Sequence, residues 1–152
     1  MSLLMGTELN SVLLAFFEKR VNAIIIASLD EDLTPHTAPF NYIIATDTKH
    51  LRVAISKLQQ TYENIINNVC VDLVVFDEGD LAVSIKGSAR VIKESMETDC
   101  NMGIIEIEVT EVRKNNSPDF FVTQGIRIWH KSEPSLYFSR RIFSELCKPS
   151  NG

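Results

Sequence analysis

The sequence predicts a mainly β fold: six or more antiparallel strands with a few short helices, closing into a small barrel. Three observations carry that expectation. Apolar and polar residues alternate over long stretches. The cleanest case sets Leu81, Val83, Ile85, Gly87, Ala89 and Val91 on one face and Ala82, Ser84, Lys86, Ser88 and Arg90 on the other. Short polar turns such as Asp30-Glu31-Asp32, Asp47-Thr48-Lys49 and Asp77-Glu78-Gly79-Asp80 separate the strand-like runs, and such tight connections join antiparallel neighbours. The chain has 152 residues, 45% hydrophobic and 23% charged, which suits one globular domain with a real core.

The first element reads as a helix on the core: Leu9, Val12, Leu13, Phe16 and Phe17 recur at helical spacing, with Thr7 as N-cap candidate. Residues 23–29 are a β-branched apolar run. Residues 36–46 extend the chain again, and Pro35 and Pro39 confine that stretch to an edge or an irregular part of the sheet. A third strand covers 51–56. A second helix over 60–67 turns Tyr62, Ile65 and Ile66 inward, and a buried strand follows over 71–76. After the alternating strand and a looser connection, Ile105, Ile107 and Val109 alternate with polar residues in another strand, over 103–112. Residues 127–130 and 136–138 read as short extended pieces around the turn Ser132-Glu133-Pro134. Residues 140–147 read as a closing helix with Ile142, Phe143 and Leu146 inward. The domain is expected to span residues 5–148, with residues 1–4 a leader outside the fold.

Charge and cysteine usage narrow the function classes. Fifteen Lys and Arg face 20 Asp and Glu, a formal net charge of −5. A nucleic-acid partner or an anionic membrane surface would call for the opposite balance. No apolar run approaches the length of a membrane span. Cys70, Cys100 and Cys147 lie far apart without a CxxC pair, which points to reduced thiols in a cytoplasmic protein, with Cys70 a small buried hydrophobe. The three histidines are equally scattered, so no metal site is expected. There is no G-x-S-x-G elbow, P-loop or G-x-G-x-x-G fingerprint. The acidic clusters at 30–32 and 77–80 read as solvated hairpin tips.

One junction concentrates donors. The strand Leu51-Arg52-Val53-Ala54-Ile55 runs through Ser56, Lys57, Gln60 and Thr61 into a helix. Free N–H groups at a helix start, the helix dipole and a lysine together make a phosphate cradle. The same residues also read as an N-cap at Thr61 beside a solvated lysine.

From about residue 9 to 92 the chain resembles the pyridoxamine 5′-phosphate oxidase-like, FMN-binding split-barrel family. The pieces that carry the resemblance occur in series. They are Ala23-Ile24-Ile25-Ile26-Ala27-Ser28, Pro35-His36-Thr37-Ala38-Pro39-Phe40, Leu51 to Ile55, Gln60-Thr61-Tyr62-Glu63-Asn64-Ile65 and Ser84-Ile85-Lys86-Gly87-Ser88-Ala89. The resemblance implies a six-stranded antiparallel split β-barrel and a homodimer with FMN at the subunit interface. Carried onto this sequence, it places the phosphate at Ser56, Lys57, Gln60 and Thr61. The isoalloxazine falls along Ala38, Pro39, Phe40 and Asn41 and against Val53, Ala54 and Ile55. Family members often have a glycine before the Pro-His pair, Asn-Pro after the helix and further cations in the phosphate loop. Here those places hold Leu33-Thr34, Asn68-Val69 and Gln59-Gln60.

Trp129 reads either as a cover for the flavin from the partner subunit or as a packing residue. The expected function is an FMN-dependent oxidoreductase acting on a small-molecule substrate, with no catalytic residue assigned. Two alternatives stand beside it: a non-catalytic flavin- or small-ligand-binding module (sensor or carrier), and a cofactor-free dimerisation domain.

Overall fold

A computed structural model describes residues 2–149. The strands are β1 (Leu3–Gly6), β2 (Ile24–Leu29), β3 (Pro35–Phe40), β4 (Ile43–Ala45), β5 (His50–Ser56), β6 (Cys70–Asp77), β7 (Leu81–Lys93) and β8 (Met102–Lys114). The helices are α1 (Ser11–Glu18), α2 (Gln60–Asn67) and α3 (Glu133–Cys147). Every strand pairing is antiparallel, in the order β3-β2-β6-β7-β8-β5-β4, with β1 added beside β8.

The two ends of that order are neighbours in the chain. Only Asn41 and Tyr42 separate β3 from β4, yet β3 pairs with β2 while β4 pairs with β5. The single extended stretch expected over 36–46 therefore bends and changes partner, and the barrel is closed there by the chain rather than by a ladder. Pro39 lacks an N–H, which fits it to an unpaired sheet edge. The result is a split barrel. Counting β3 and β4 as one bent strand leaves the six strands expected, plus the N-terminal β1. Leu3 and Leu4 of that strand, set apart as leader by the sequence reading, pair with Lys114 and Arg113. Met1 lies outside the described residues.

Alternation sorts the side chains into two apolar clusters. Ile24, Ile26, Val53, Ile55, Leu73, Ile85, Ile105 and Ile107 fill the barrel, and Leu13, Phe16 and Phe17 of α1 close over them. Ile44, Ala54, Met102 and Ile104 face outward and are covered by Ile142, Phe143 and Leu146 of α3. Each fully buried aliphatic side chain of this kind contributes roughly 1.5–3 kcal/mol relative to exposure.

Several local expectations change. α1 is capped by Asn10, whose side chain accepts from the Leu13 N–H, rather than by Thr7. α3 begins at Glu133, so residues 136–138 are helical and not extended. Ser132 and Ser135 form a reciprocal cap, and the proline read as a turn former sits in the first helical turn, where its missing N–H costs nothing. Of 127–130 only Arg127 pairs, in an isolated bridge to Asn22. Cys70 is exposed rather than buried. Asp77 is no solvated tip: it is 1% exposed and takes Lys19 at 2.8 Å and Arg127 at 2.9 Å. Asp30 does stay at an exposed turn, accepting from the Asp32 and Thr34 N–H groups.

Candidate functional site

At the end of β5 the chain turns through residues 57–59 into α2. The Lys57 N–H donates to the Asn101 carbonyl and its ammonium to Ser95 Oγ, while Ser56 Oγ accepts from the Leu58 N–H. Gln59 occupies the N-cap position of α2, and no side chain caps the helix. Thr61 therefore lies inside the first turn and not at the cap. It is 0% exposed, and its Oγ1 is left without a hydrogen-bond partner. A buried hydroxyl usually finds a partner, since an unmade bond costs about 1–3 kcal/mol. Gln60 turns its amide toward its own helix, donating to Asn64 Oδ1 at 2.8 Å, and Asn64 in turn donates to Ser28 Oγ at 3.0 Å.

An uncapped helix start, a lysine beside it and an unpartnered hydroxyl fit the phosphate end of a flavin nucleotide. The ring end is different. Val53 and Ile55 point into the barrel core and Ala54 lies under α3, all of them buried, so their side chains present no open wall. Phe40 is also in the barrel core, with Ala38 packed against it. Pro39 is exposed and Asn41 half-buried. Asn41 lines a cavity of about 320 Å³ that Trp129 also lines, whereas Ser56, Lys57, Gln60 and Thr61 do not reach it. Trp129 is 86% exposed. The eleven residues that the resemblance assigned to one cofactor thus separate. Ser56, Lys57, Gln60 and Thr61 lie at the phosphate loop, and Ala38, Phe40, Val53, Ala54 and Ile55 belong to the packed core. Pro39 is exposed at the sheet edge, and Asn41 alone joins Trp129 at the cavity.

Residues outside that assignment complete the cavity. Tyr42 and Ser139 share a hydrogen bond of 3.1 Å, and Ser139 Oγ lies 3.5 Å from His130 Nδ1. Tyr42 and Ser139 are 97 positions apart, and no local spacing announces their meeting.

The fold defines a split-barrel protein. The model of the pyridoxamine 5′-phosphate oxidase family matches residues 12–116, more than half of the chain, and the chain belongs to that family. No curated protein matches the sequence. Among solved structures, one similar chain is a Lactobacillus delbrueckii protein assigned by name to the pyridoxamine 5′-phosphate oxidases. It has 24% identity and a TM-score of 0.64, covering 74% of this chain and 98% of that one. An F420 reductase has 18% identity and a TM-score of 0.54, covering 64% and 93%. An FAD-binding protein from Mesorhizobium loti has 13% identity and a TM-score of 0.53, covering 72% and 95%. At these identities the likeness is one of fold. No described helix is long and apolar enough to cross a membrane.

Proposed function

We propose that this protein is a cytoplasmic FMN-dependent oxidoreductase acting on a small-molecule substrate, a homodimer with flavin at the subunit interface. The observation that carries the reading is the uncapped start of α2 beside Lys57, with the unpartnered Thr61 hydroxyl in its first turn. Lys57 would supply the positive charge for the phosphate and the α2 amides its neutral donors. The bound flavin would supply the electron transfer, and the protein its position and electrostatics. F420 and FAD in the names of two structural relatives support a flavin or deazaflavin ligand in this fold.

Absorbance of the purified protein tests the reading first, because bound flavin colours the solution. FMN titration of the wild type and of Lys57→Ala tests the site. A charged hydrogen bond is worth roughly 1.5–3 kcal/mol, so the variant should bind FMN about one to two orders of magnitude more weakly. Riboflavin, lacking the phosphate, should lose little. Equal losses for both ligands, or a wild type that binds neither, would sink the phosphate assignment.

A second reading, a ligand-binding module without turnover, rests on the burial of Val53, Ala54 and Ile55, whose side chains are taken up by the protein's own packing. Photoreduced, flavin-loaded protein that reoxidises no faster than free FMN with any acceptor supports that alternative.

A further inference from the structure

The cavity beside the β3–β4 bend shares Asn41 and Trp129 with the flavin reading and adds cations, rings and hydroxyls that the flavin reading does not use. It lies between that bend, the chain after α1, residues 128–131 and α3. Arg20 and Lys131 line it, and no Asp or Glu does, in a chain with five more acidic than basic residues. Two cations without a carboxylate form a local positive field, which an anion would meet on entry.

Both the shape and the lining are held in place. The Arg127 side chain donates to Asn22 Oδ1 at 3.2 Å and to buried Asp77 at 2.9 Å. That anchor fixes the start of the segment bearing Trp129, His130 and Lys131. Arg20 adopts φ +57°, a left-handed conformation that a residue with a Cβ avoids at a cost of about 1–2 kcal/mol. Its guanidinium lies 5.5 Å from the centre of the Phe143 ring and donates to Cys147 Sγ at 3.4 Å. One acceptor leaves most of the five guanidinium N–H donors for a ligand. Tyr42 meets Phe143 edge-on at 5.6 Å between ring centres. Ser139 is 3% exposed, yet its hydroxyl lies at the cavity wall between Tyr42 and His130.

From these observations we propose that the cavity is a binding site for a small planar aromatic carboxylate. The rings of Tyr42, Phe143 and Trp129 would take its flat faces and edges. Arg20 and Lys131 would hold the carboxylate, the arginine fork matching its two oxygens. Asn41, His130 and Ser139 would read polar substituents on the ring. A volume of about 320 Å³ lies at the low end of ligand cavities, which suits one ring rather than a dinucleotide. The site does not depend on a bound flavin.

Trp129 is the sole tryptophan, so its fluorescence reports on this cavity directly. Flavin-free protein would be titrated with benzoate and 4-hydroxybenzoate, with benzyl alcohol as the uncharged ring and acetate as the anion without a ring. Saturable quenching or a spectral shift is expected for the two aromatic carboxylates. Benzyl alcohol should bind at least about tenfold more weakly, and acetate should leave the signal unchanged. Arg20→Gln and Lys131→Gln should each weaken benzoate about tenfold. Lys131 is exposed, so its variant remains informative if the Arg20 variant fails to fold. Absence of saturable binding by either carboxylate overturns the proposal. So does equal affinity for benzyl alcohol, or unchanged benzoate affinity in a Lys131→Gln variant whose circular dichroism matches wild type. Displacement of benzoate by FMN would make the cavity the seat of the flavin ring and overturn it as a separate site. Flavin absorbance of the same preparation reads the FMN hypothesis independently.

Discussion

Thr61 and Asp77 show how a buried polar side chain divides into two cases. Thr61 is buried with its hydroxyl unpartnered, so in the flavin-free protein the hydroxyl contributes a penalty and no bond. Thr61→Val, which keeps the shape, should leave the melting temperature of flavin-free protein unchanged or raise it, by up to about 1–3 kcal/mol of stability. If the hydroxyl meets the phosphate, the same variant should bind FMN less well; a variant both less stable and unaltered in FMN affinity would contradict that role. Asp77 is the paired case. Burial alone would raise its carboxyl, but hydrogen bonds from Lys19, the Glu78 N–H and Arg127 outweigh that and hold it below the ordinary carboxylate value. Both partners are partly exposed, which limits the gain. Asp77→Asn should lower stability by about 1–3 kcal/mol in denaturant unfolding, and should loosen the segment that carries Trp129.

At the scale of elements, α3 is tied down by one carboxylate. Glu145 takes Lys93 at 2.9 Å and the N–H groups of Glu97 and Thr98, both at 2.9 Å, together with the Thr98 hydroxyl. Burial pushes Glu145 up, and these donors more than reverse it, from 4.5 down to about 2. A depressed folded value means the contribution is present above the unfolded carboxyl's pKa near 4.5. It is lost as pH falls from there toward about 2. That difference is on the order of 3 kcal/mol, and Glu145→Gln should remove the part of the acid limb that falls in this interval. Equal acid profiles for the two proteins, measured by urea unfolding, would show that the clasp adds nothing. The β7–β8 ladder offers a second test. A Cβ on Gly87 would meet the Glu108 carbonyl oxygen at 2.8 Å, beside the bulge that shifts the register after Lys86. The backbone cannot step aside cheaply, so Gly87→Ala should cost about 1–3 kcal/mol, seen as a lowered melting temperature.

At the scale of the whole molecule, the outer face of β6 and β7 is the surface that assembly must explain. Val74 and Phe76 are exposed there, beside Ser84 and Ala82 in register, and Ala82 is itself already buried within the protomer. Part of the small-residue face of β7 is thus covered by the chain's own residues, and the exposed apolar side chains there come from β6. If this face forms the homodimer, Val74→Lys should shift sedimentation from dimer toward monomer and leave the circular dichroism unchanged. A wild type that sediments as a monomer at micromolar concentration would refute the dimer and an interfacial flavin together.

Periodicity by itself determined the class of fold, the span of α2 and the alternating face of β7, because each is a local consequence of which neighbours are apolar. Short turns announced the hairpin pairs β2–β3, β4–β5 and β6–β7, whereas the neighbours β2–β6 and β5–β8 join strands distant in the chain and were not legible. What sequence could not decide was where ends meet. The start of α3 was hidden because Pro134 is as suited to a first helical turn as to a loop. Asp77 looked solvated because Lys19 and Arg127 lie 58 and 50 positions away. Val53, Ala54 and Ile55 lie along β5 as the resemblance implies, but only packing shows that α3 and the barrel interior claim their side chains. The cavity of Arg20, Tyr42, His130 and Ser139 exists because the barrel splits between β3 and β4 and the C-terminal helix lies against the split. Such a site is assembled from distant segments by closure of the fold, and no spacing along the chain encodes it.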